Sequence, residues 1–85
     1  MSEFPIKIEP ELSECVMTKA KREYNALLKR ALEGEDVGDR LEALRLFLEN
    51  HDFAKLRAEY EKYLVEGKKV IFYIKRDGGY EMKVI

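Results

Sequence analysis

The most regular pattern of hydrophobic and polar positions lies in residues 68–85, where two β-rich runs flank a glycine turn. The first run, Val70–Ile74, contains only β-branched and aromatic residues, which favour strands. The residues Asp77-Gly78-Gly79 tolerate the positive φ angles that a tight turn needs. The pattern therefore predicts a C-terminal β-hairpin.

Two registers of this hairpin follow from two possible turn lengths. A two-residue loop at 77–78 would pair Tyr73 with Met82, and hydrophobic and charged residues would then share a face. A three-residue loop at 77–79 would pair Ile74 with Met82 and would make one face fully apolar. We favour the second register, because a buried face needs this uniform pattern.

The favoured register divides the hairpin into an apolar face and a mixed face. Its turn would be of type I, followed by Gly79 in the left-handed region. The apolar face would carry Val70, Phe72, Ile74, Tyr80, Met82 and Val84. The mixed face would carry Lys69, Ile71, Tyr73, Lys75, Glu81, Lys83 and Ile85.

A short N-terminal strand precedes the helical part of the chain. Phe4, Ile6 and Ile8 alternate with Pro5 and Lys7, which is the period of a strand. Because proline has no backbone N–H to donate, Pro5 belongs at a sheet edge or at the start of the strand.

Helix 1 is predicted from Pro10 to Glu33, with Gly34 as its C-terminal stop. At 100° per residue, one broad side of this helix is apolar. That side comprises Leu12, Val16, Met17, Ala20, Tyr24, Leu27, Leu28, Ala31 and Leu32. The helix would be on the order of 35 Å long, so we expect part of it to project or to meet a partner.

Two further helices are predicted between Gly34 and the hairpin. Asp39, with Glu42 three residues later, resembles the capping box at the start of a helix. The apolar stripes before and after residues 50–52 point in different directions, so we place a break there, with Asp52 as the cap of helix 3. Gly67 ends helix 3.

These elements predict a two-layer α+β fold in a single domain spanning residues 1–85, in the order β-α-α-α-β-β. A three-stranded sheet, made of the N-terminal strand and the hairpin, is covered on one face by two to three helices. The predicted core comprises Ile6, Ile8, Val16, Ala20, Leu27, Leu44, Leu48, Leu56, Tyr60, Val70, Phe72, Ile74, Met82 and Val84.

The amino-acid composition indicates the kind of organism and the cellular compartment to expect for this domain. The 16 basic and 17 acidic residues nearly balance, and the abundance of Lys and Glu without any Gln favours a thermophilic protein. The single cysteine cannot form an intramolecular disulfide, which suits a reducing compartment. There is no secretory signal pattern and no apolar stretch of the roughly 20 residues that span a bilayer. We therefore expect a cytoplasmic protein with no membrane contact.

Candidate catalytic and metal-binding residues are few. Cys15 lies near the start of helix 1, where the dipole favours a thiolate, but no base is spaced to activate it. His51 is the only histidine, and its neighbours Glu49 and Asp52 make a weak ligand set, so we expect a packing or helix-end role. We predict no catalytic residue, no metal site, no cofactor and no enzymatic activity.

A basic hairpin suggests nucleic acid as one possible ligand. Residues 68–85 carry five basic and two acidic groups, a net charge of +3, whereas residues 9–67 have a net charge of −4. An aromatic side chain among cations on a sheet can stack bases and bind phosphates. The candidate nucleic-acid contacts are Tyr73, Lys75, Arg76 and Lys83. Nucleic-acid binding is the alternative to self-association, which is the principal prediction.

The principal functional prediction is a self-associating protein-interaction module, most simply a homodimer. The domain is small and has no disulfide or metal to support its core. A three-stranded sheet has two edges, and Val70–Ile74 exposed at one of them would invite uncontrolled pairing. The mixed face also retains three hydrophobic side chains that the helices do not cover, and these form the candidate interface: Ile71, Tyr73 and Ile85.

Overall fold

A computed structural model describes residues 4–85, and these residues fold in the predicted order β-α-α-α-β-β. The α+β prediction is therefore confirmed. The elements are β1 (Ile6–Ile8), α1 (Val16–Leu32), α2 (Gly38–Asn50), α3 (Phe53–Val65), β2 (Val70–Ile74) and β3 (Tyr80–Val84).

The three strands form an antiparallel sheet in the order β1-β2-β3. The hydrophobic strand β2 is therefore central, and both of its sides are paired. The concern that Val70–Ile74 lies at an exposed edge is thus wrong. The edges belong to the three-residue β1 and to β3, in which charged residues alternate with apolar ones.

The register of the hairpin differs from the prediction by two residues, because Ile74 pairs with Tyr80 rather than with Met82. The Gly78 N–H donates to the Lys75 carbonyl at 3.0 Å, and the Lys75 N–H donates to the Gly79 carbonyl at 2.8 Å. The loop is therefore 76–78. Since side chains alternate with a period of two, a two-residue shift keeps every residue on its predicted face.

Gly78, and not Gly79, adopts the left-handed conformation, with φ of 86°. The turn packs against α2, and a Cβ at Gly78 would overlap the Leu46 Cβ. A Cβ at Gly79 would meet only the Asp77 carboxylate, at 3.0 Å. Contact with α2, which no local pattern reveals, explains why the loop falls one residue earlier than predicted.

Helix α1 begins at Val16, six residues later than predicted. Residues 11–14 instead form a tight turn, closed by hydrogen bonds between the backbones of Glu11 and Glu14 at 2.8 and 3.2 Å. The Val16 N–H donates to the buried Tyr60 hydroxyl at 3.0 Å, which satisfies the first free donor of the helix. With 17 residues, α1 is about 25 Å long, which is shorter than the length that suggested a projecting helix.

The predicted stop of α1 is confirmed. Gly34 has φ of 96°, and its N–H donates to the Ala31 carbonyl at 3.0 Å. The Glu35 N–H donates to the Arg30 carbonyl at 3.1 Å, which completes a Schellman motif. Gly67 ends α3 in the same left-handed conformation.

The break between α2 and α3 is also confirmed. The Asp52 carboxylate accepts hydrogen bonds from the N–H groups of Ala54 and Lys55 at 3.1 and 3.3 Å, which is N-capping. The predicted capping box of α2 is wrong, because Val37 is the N-cap and no side chain caps the helix. Asp39 accepts a hydrogen bond from Arg76 instead, at 2.9 Å.

The core lies between the helices and one face of the sheet. Eleven of the predicted core residues are buried, whereas Leu48, Met82 and Val84 are only half-buried. Met82 and Val84 are partly exposed because β3 is an edge strand. The prediction missed three residues of the buried hydrophobic core, Val37, Ala43 and Phe47.

Candidate functional site

The helices cover only one face of the sheet, and the other face is the candidate site. Val70, Phe72 and Ile74 of β2 are fully buried under the helices, whereas Ile71 and Tyr73 between them are half-buried. We call the uncovered side the open face. By alternation and register it comprises Lys7, Lys69, Ile71, Tyr73, Lys75, Glu81, Lys83 and Ile85. Four lysines and one glutamate give it a net positive charge.

Tyr73 lies at the centre of the open face. It is directly opposite Lys7 on β1 and Glu81 on β3. The Lys7 Nζ is 5.9 Å from the centroid of the Tyr73 ring, within cation–π range. Because Tyr73 belongs to the central strand, its backbone is held by pairing on both sides.

A shallow groove of about 720 Å³ crosses the open face at the end nearest the hairpin turn. Its lining comprises Phe4, Pro5, Tyr73, Lys75, Arg76, Glu81, Met82 and Lys83. All four residues predicted from the sequence as nucleic-acid contacts line this one groove. The structure therefore brings them together.

The sequence analysis missed Phe4 as a site residue, although it is the aromatic residue next to Pro5 at the start of β1. The Arg76 guanidinium lies 4.8 Å from the centroid of the Phe4 ring and donates to the Asp39 carboxylate at 2.9 Å. One arginine thus joins the hairpin turn, the first turn of α2 and the N-terminal segment. Alternation in 4–8 groups Phe4 with the buried Ile6 and Ile8, and its link to the groove through Arg76 is not encoded locally.

The charges of the groove are partly paired. The Lys75 Nζ is 3.2 Å from Glu81 Oε1, and Arg76 pairs with Asp39. All four side chains are more than half exposed, and exposed pairs contribute little to stability, so a phosphate can compete for these cations. Lys83 makes no ion pair within residues 4–85.

The candidate interface residues also lie on the open face. Ile71 is opposite Lys83, and Ile85 exchanges backbone hydrogen bonds with Lys69. Ile85 is 66% exposed, whereas Ile71 is half-buried. The hydrophobic part of this face therefore extends away from the groove, towards the end of the sheet remote from the turn.

His51 has the packing and helix-end role expected for it. It is the C-terminal cap of α2, and its ring centroid lies 5.1 Å from that of Phe47 and 5.0 Å from that of Tyr80. Its Nε2 donates a hydrogen bond to the Gly78 carbonyl at 3.2 Å. His51 therefore helps to hold the hairpin turn, and with it the groove, against α2.

Cys15 lies apart from the open face, as the residue that precedes α1. Its Sγ is 3.1 Å from the Thr18 hydroxyl, and this hydrogen bond lowers the pKa of the thiol, with a smaller effect from Arg57 in the same direction. Among residues 4–85 no group of three or more His, Cys, Asp or Glu side chains could hold a metal ion. None of the three helices described is long and apolar enough to cross a membrane.

Comparison with known proteins adds a family assignment to this description. No curated protein and no solved structure matches the chain. A family model, by contrast, matches residues 3–85, a range that includes every strand and helix described above. The chain therefore belongs to this protein family.

Proposed function

We propose that the protein binds single-stranded nucleic acid on its open face. The observation that carries this proposal is the groove, in which an aromatic platform and three cations share one lining: Tyr73, Lys75, Arg76 and Lys83. Stacking on an aromatic ring and pairing of phosphates with cations are the two interactions by which proteins bind single strands. We propose binding rather than catalysis.

Each part of the groove has a physical role in this proposal. The Tyr73 ring offers a flat surface for one base, and the Arg76 guanidinium, which lies over the Phe4 ring, offers a cation at the groove's end. Lys75 and Lys83 flank Tyr73 and can approach the phosphates on either side of a stacked base. A binding surface of this kind needs no sequence motif, because every base has a π-face.

The net charge of −1 for the whole chain does not oppose this function, because a ligand responds to the local field. The open face carries four lysines against one glutamate. Acidic residues are concentrated elsewhere, for example in the loop 33–36, which contains three of them. The molecule is thus polarised, with the groove on its basic side.

Self-association is a second candidate function, with the protein acting as an interaction module in a homodimer. The observation that favours it is the exposure of Ile85 beside Ile71 on a face that the helices leave uncovered. A twofold contact would cover these residues. It would also bring the lysines of two open faces together, which is unfavourable, and the central position of β2 removes one earlier argument for it. We therefore place it second.

The setting proposed for this function is the cytoplasm. A single cysteine suits a reducing compartment. The abundance of Lys and Glu, without any Gln, is consistent with a thermophilic source.

Fluorescence anisotropy with a labelled mixed-sequence DNA or RNA single strand tests the proposal. We expect binding at low salt. The logarithm of the association constant should fall against the logarithm of the salt concentration with a slope of about −2 to −3, as for three to four phosphate contacts. Tyr73→Ala should weaken binding by about 1–3 kcal/mol, and Tyr73→Phe should retain it. Lys75→Glu and Lys83→Glu should weaken it further.

Matched charge changes on α3, Lys55→Glu and Lys62→Glu, are the controls, because both residues are exposed on the helical layer. Equal losses from α3 and groove variants would remove the groove from the proposal. If polyglutamate displaces the labelled strand as well as an oligonucleotide does, the groove binds polyanions in general rather than nucleic acid. Self-association would be favoured by two results together. The protein would not bind the oligonucleotide at low salt, and light scattering would give a dimer mass that Ile71→Lys and Ile85→Lys abolish.

A further inference from the structure

Glu81 is the one acidic residue of the open face, and it lies beside the central Tyr73. It is the direct cross-strand neighbour of Tyr73, on β3, and both side chains line the groove. Directly opposed residues of an antiparallel pair have Cβ atoms about 4.5–5.5 Å apart. A carboxylate at this position repels phosphates, so general attraction for a polyanion does not explain it.

The Glu81 carboxylate retains the capacity to accept hydrogen bonds from a ligand. Its Oε1 pairs with the Lys75 Nζ at 3.2 Å, and its side chain is 70% exposed. A carboxylate has about four lone-pair sites, and this pair uses one of them. Because both side chains of this pair are more than half exposed, Glu81 can exchange Lys75 for a hydrogen-bond donor of a ligand.

We propose that Glu81 reads the base that stacks on Tyr73 and that it selects guanine. This inference rests on the proposed function. Glu81 is the cross-strand neighbour of Tyr73 and lines the same groove, so its carboxylate is within reach of the edge of a base stacked on Tyr73. Guanine offers two parallel donors, N1–H and the N2 amino group, which match the two oxygens of a carboxylate as an arginine does.

The other bases match this acceptor less well. Cytosine and adenine present one amino donor beside an unprotonated ring nitrogen, whose lone pair faces the carboxylate. Thymine and uracil present one N–H between two carbonyl oxygens, which repel the carboxylate. Glu81 thus lowers the affinity for every strand by its charge and restores it only for a base with two donors.

The experiment measures anisotropy with labelled oligothymidylate, and with the same strand carrying one central guanine or one hypoxanthine. Hypoxanthine keeps N1–H and lacks the amino group, so it isolates the second donor. We expect the guanine strand to bind about tenfold more tightly than oligothymidylate, with hypoxanthine between them. Glu81→Gln should weaken guanine binding and tighten oligothymidylate binding, so the preference is lost through changes of opposite sign.

Lys75→Gln is the control variant, because it removes the ion pair and keeps the carboxylate. It should weaken binding to all strands and leave the guanine preference in place. Equal tightening of all strands by Glu81→Gln would show that Glu81 acts only by repulsion and would overturn the inference, while the proposed function would stand. Failure of every strand to bind would instead contradict the proposed function.

Discussion

The two faces of the sheet are built by the same strands and differ in what determines their residues. On the covered face, Phe72 is completely buried, and its ring packs edge-on against Tyr60 at a centroid distance of 5.5 Å. On the open face, the adjacent residue Tyr73 is half-buried, with Lys7 over its ring. The covered face is explained by folding alone. The open face has an arrangement of charge and aromatic surface that folding does not require, which is why the function is sought there.

The largest expected difference between the faces is in stability. Phe72→Ala should lower the free energy of unfolding by about 3–5 kcal/mol, because it leaves a cavity in the closed core. Tyr73→Ala, one residue along the same strand, should cost about 1 kcal/mol, the scale of a cross-strand contact. Urea denaturation followed by circular dichroism measures both. Similar losses for the two variants would contradict the assignment of the faces.

The hairpin turn allows a second test, in which two neighbouring glycines are exchanged for alanine. Gly78→Ala should cost about 2–4 kcal/mol, because it combines left-handed backbone strain with overlap against Leu46. Gly79→Ala should cost less than half as much, since its Cβ meets only the flexible Asp77 side chain. The hairpin register predicted from sequence requires the reverse order of costs. The same denaturation measurement therefore decides between the two turns.

The register shows where sequence reasoning succeeds and where it fails. Alternation assigned Phe72 and Met82 to the covered face correctly, because successive residues of a strand point to opposite faces of the sheet. The position of the loop depended on Gly78 meeting Leu46, which lies 32 residues away by number. The local pattern carries no information on such a contact.

The same reasoning applies to α1 and to the site. The helix begins where the Tyr60 hydroxyl, 44 residues away, accepts the Val16 N–H, so its start could not be read from residues 10–15. In the groove, Tyr73 and Lys75 were predictable because Tyr73 lies on β2 and Lys75 directly follows that strand. Phe4 joins them through long-range contacts, among them the one with Arg76.

Tyr60→Phe tests whether a hydroxyl that is distant in sequence determines where α1 begins. The variant keeps the ring that packs against Phe72 and removes the oxygen that accepts the Val16 N–H. An unsatisfied buried N–H should cost about 1–3 kcal/mol in unfolding free energy. Amide exchange at Val16, measured by NMR, should accelerate in the variant more than exchange in the middle of α1. An unchanged exchange rate at Val16 would contradict the role assigned to the hydroxyl.

The smallest expected effect is the contribution of the Lys75–Glu81 pair to stability. Both side chains are more than half exposed, and such pairs contribute about 0.2–1 kcal/mol in double-mutant cycles. A cycle of Lys75→Gln and Glu81→Gln, measured by urea denaturation at low salt, should therefore give a coupling energy in this range that falls as salt is added. Of these two variants, only Glu81→Gln is expected to change oligonucleotide binding in opposite directions for guanine and thymine. A coupling energy above about 2 kcal/mol would mean that folding alone explains this pair, and the open face would then differ less from the covered face than its chemistry suggests.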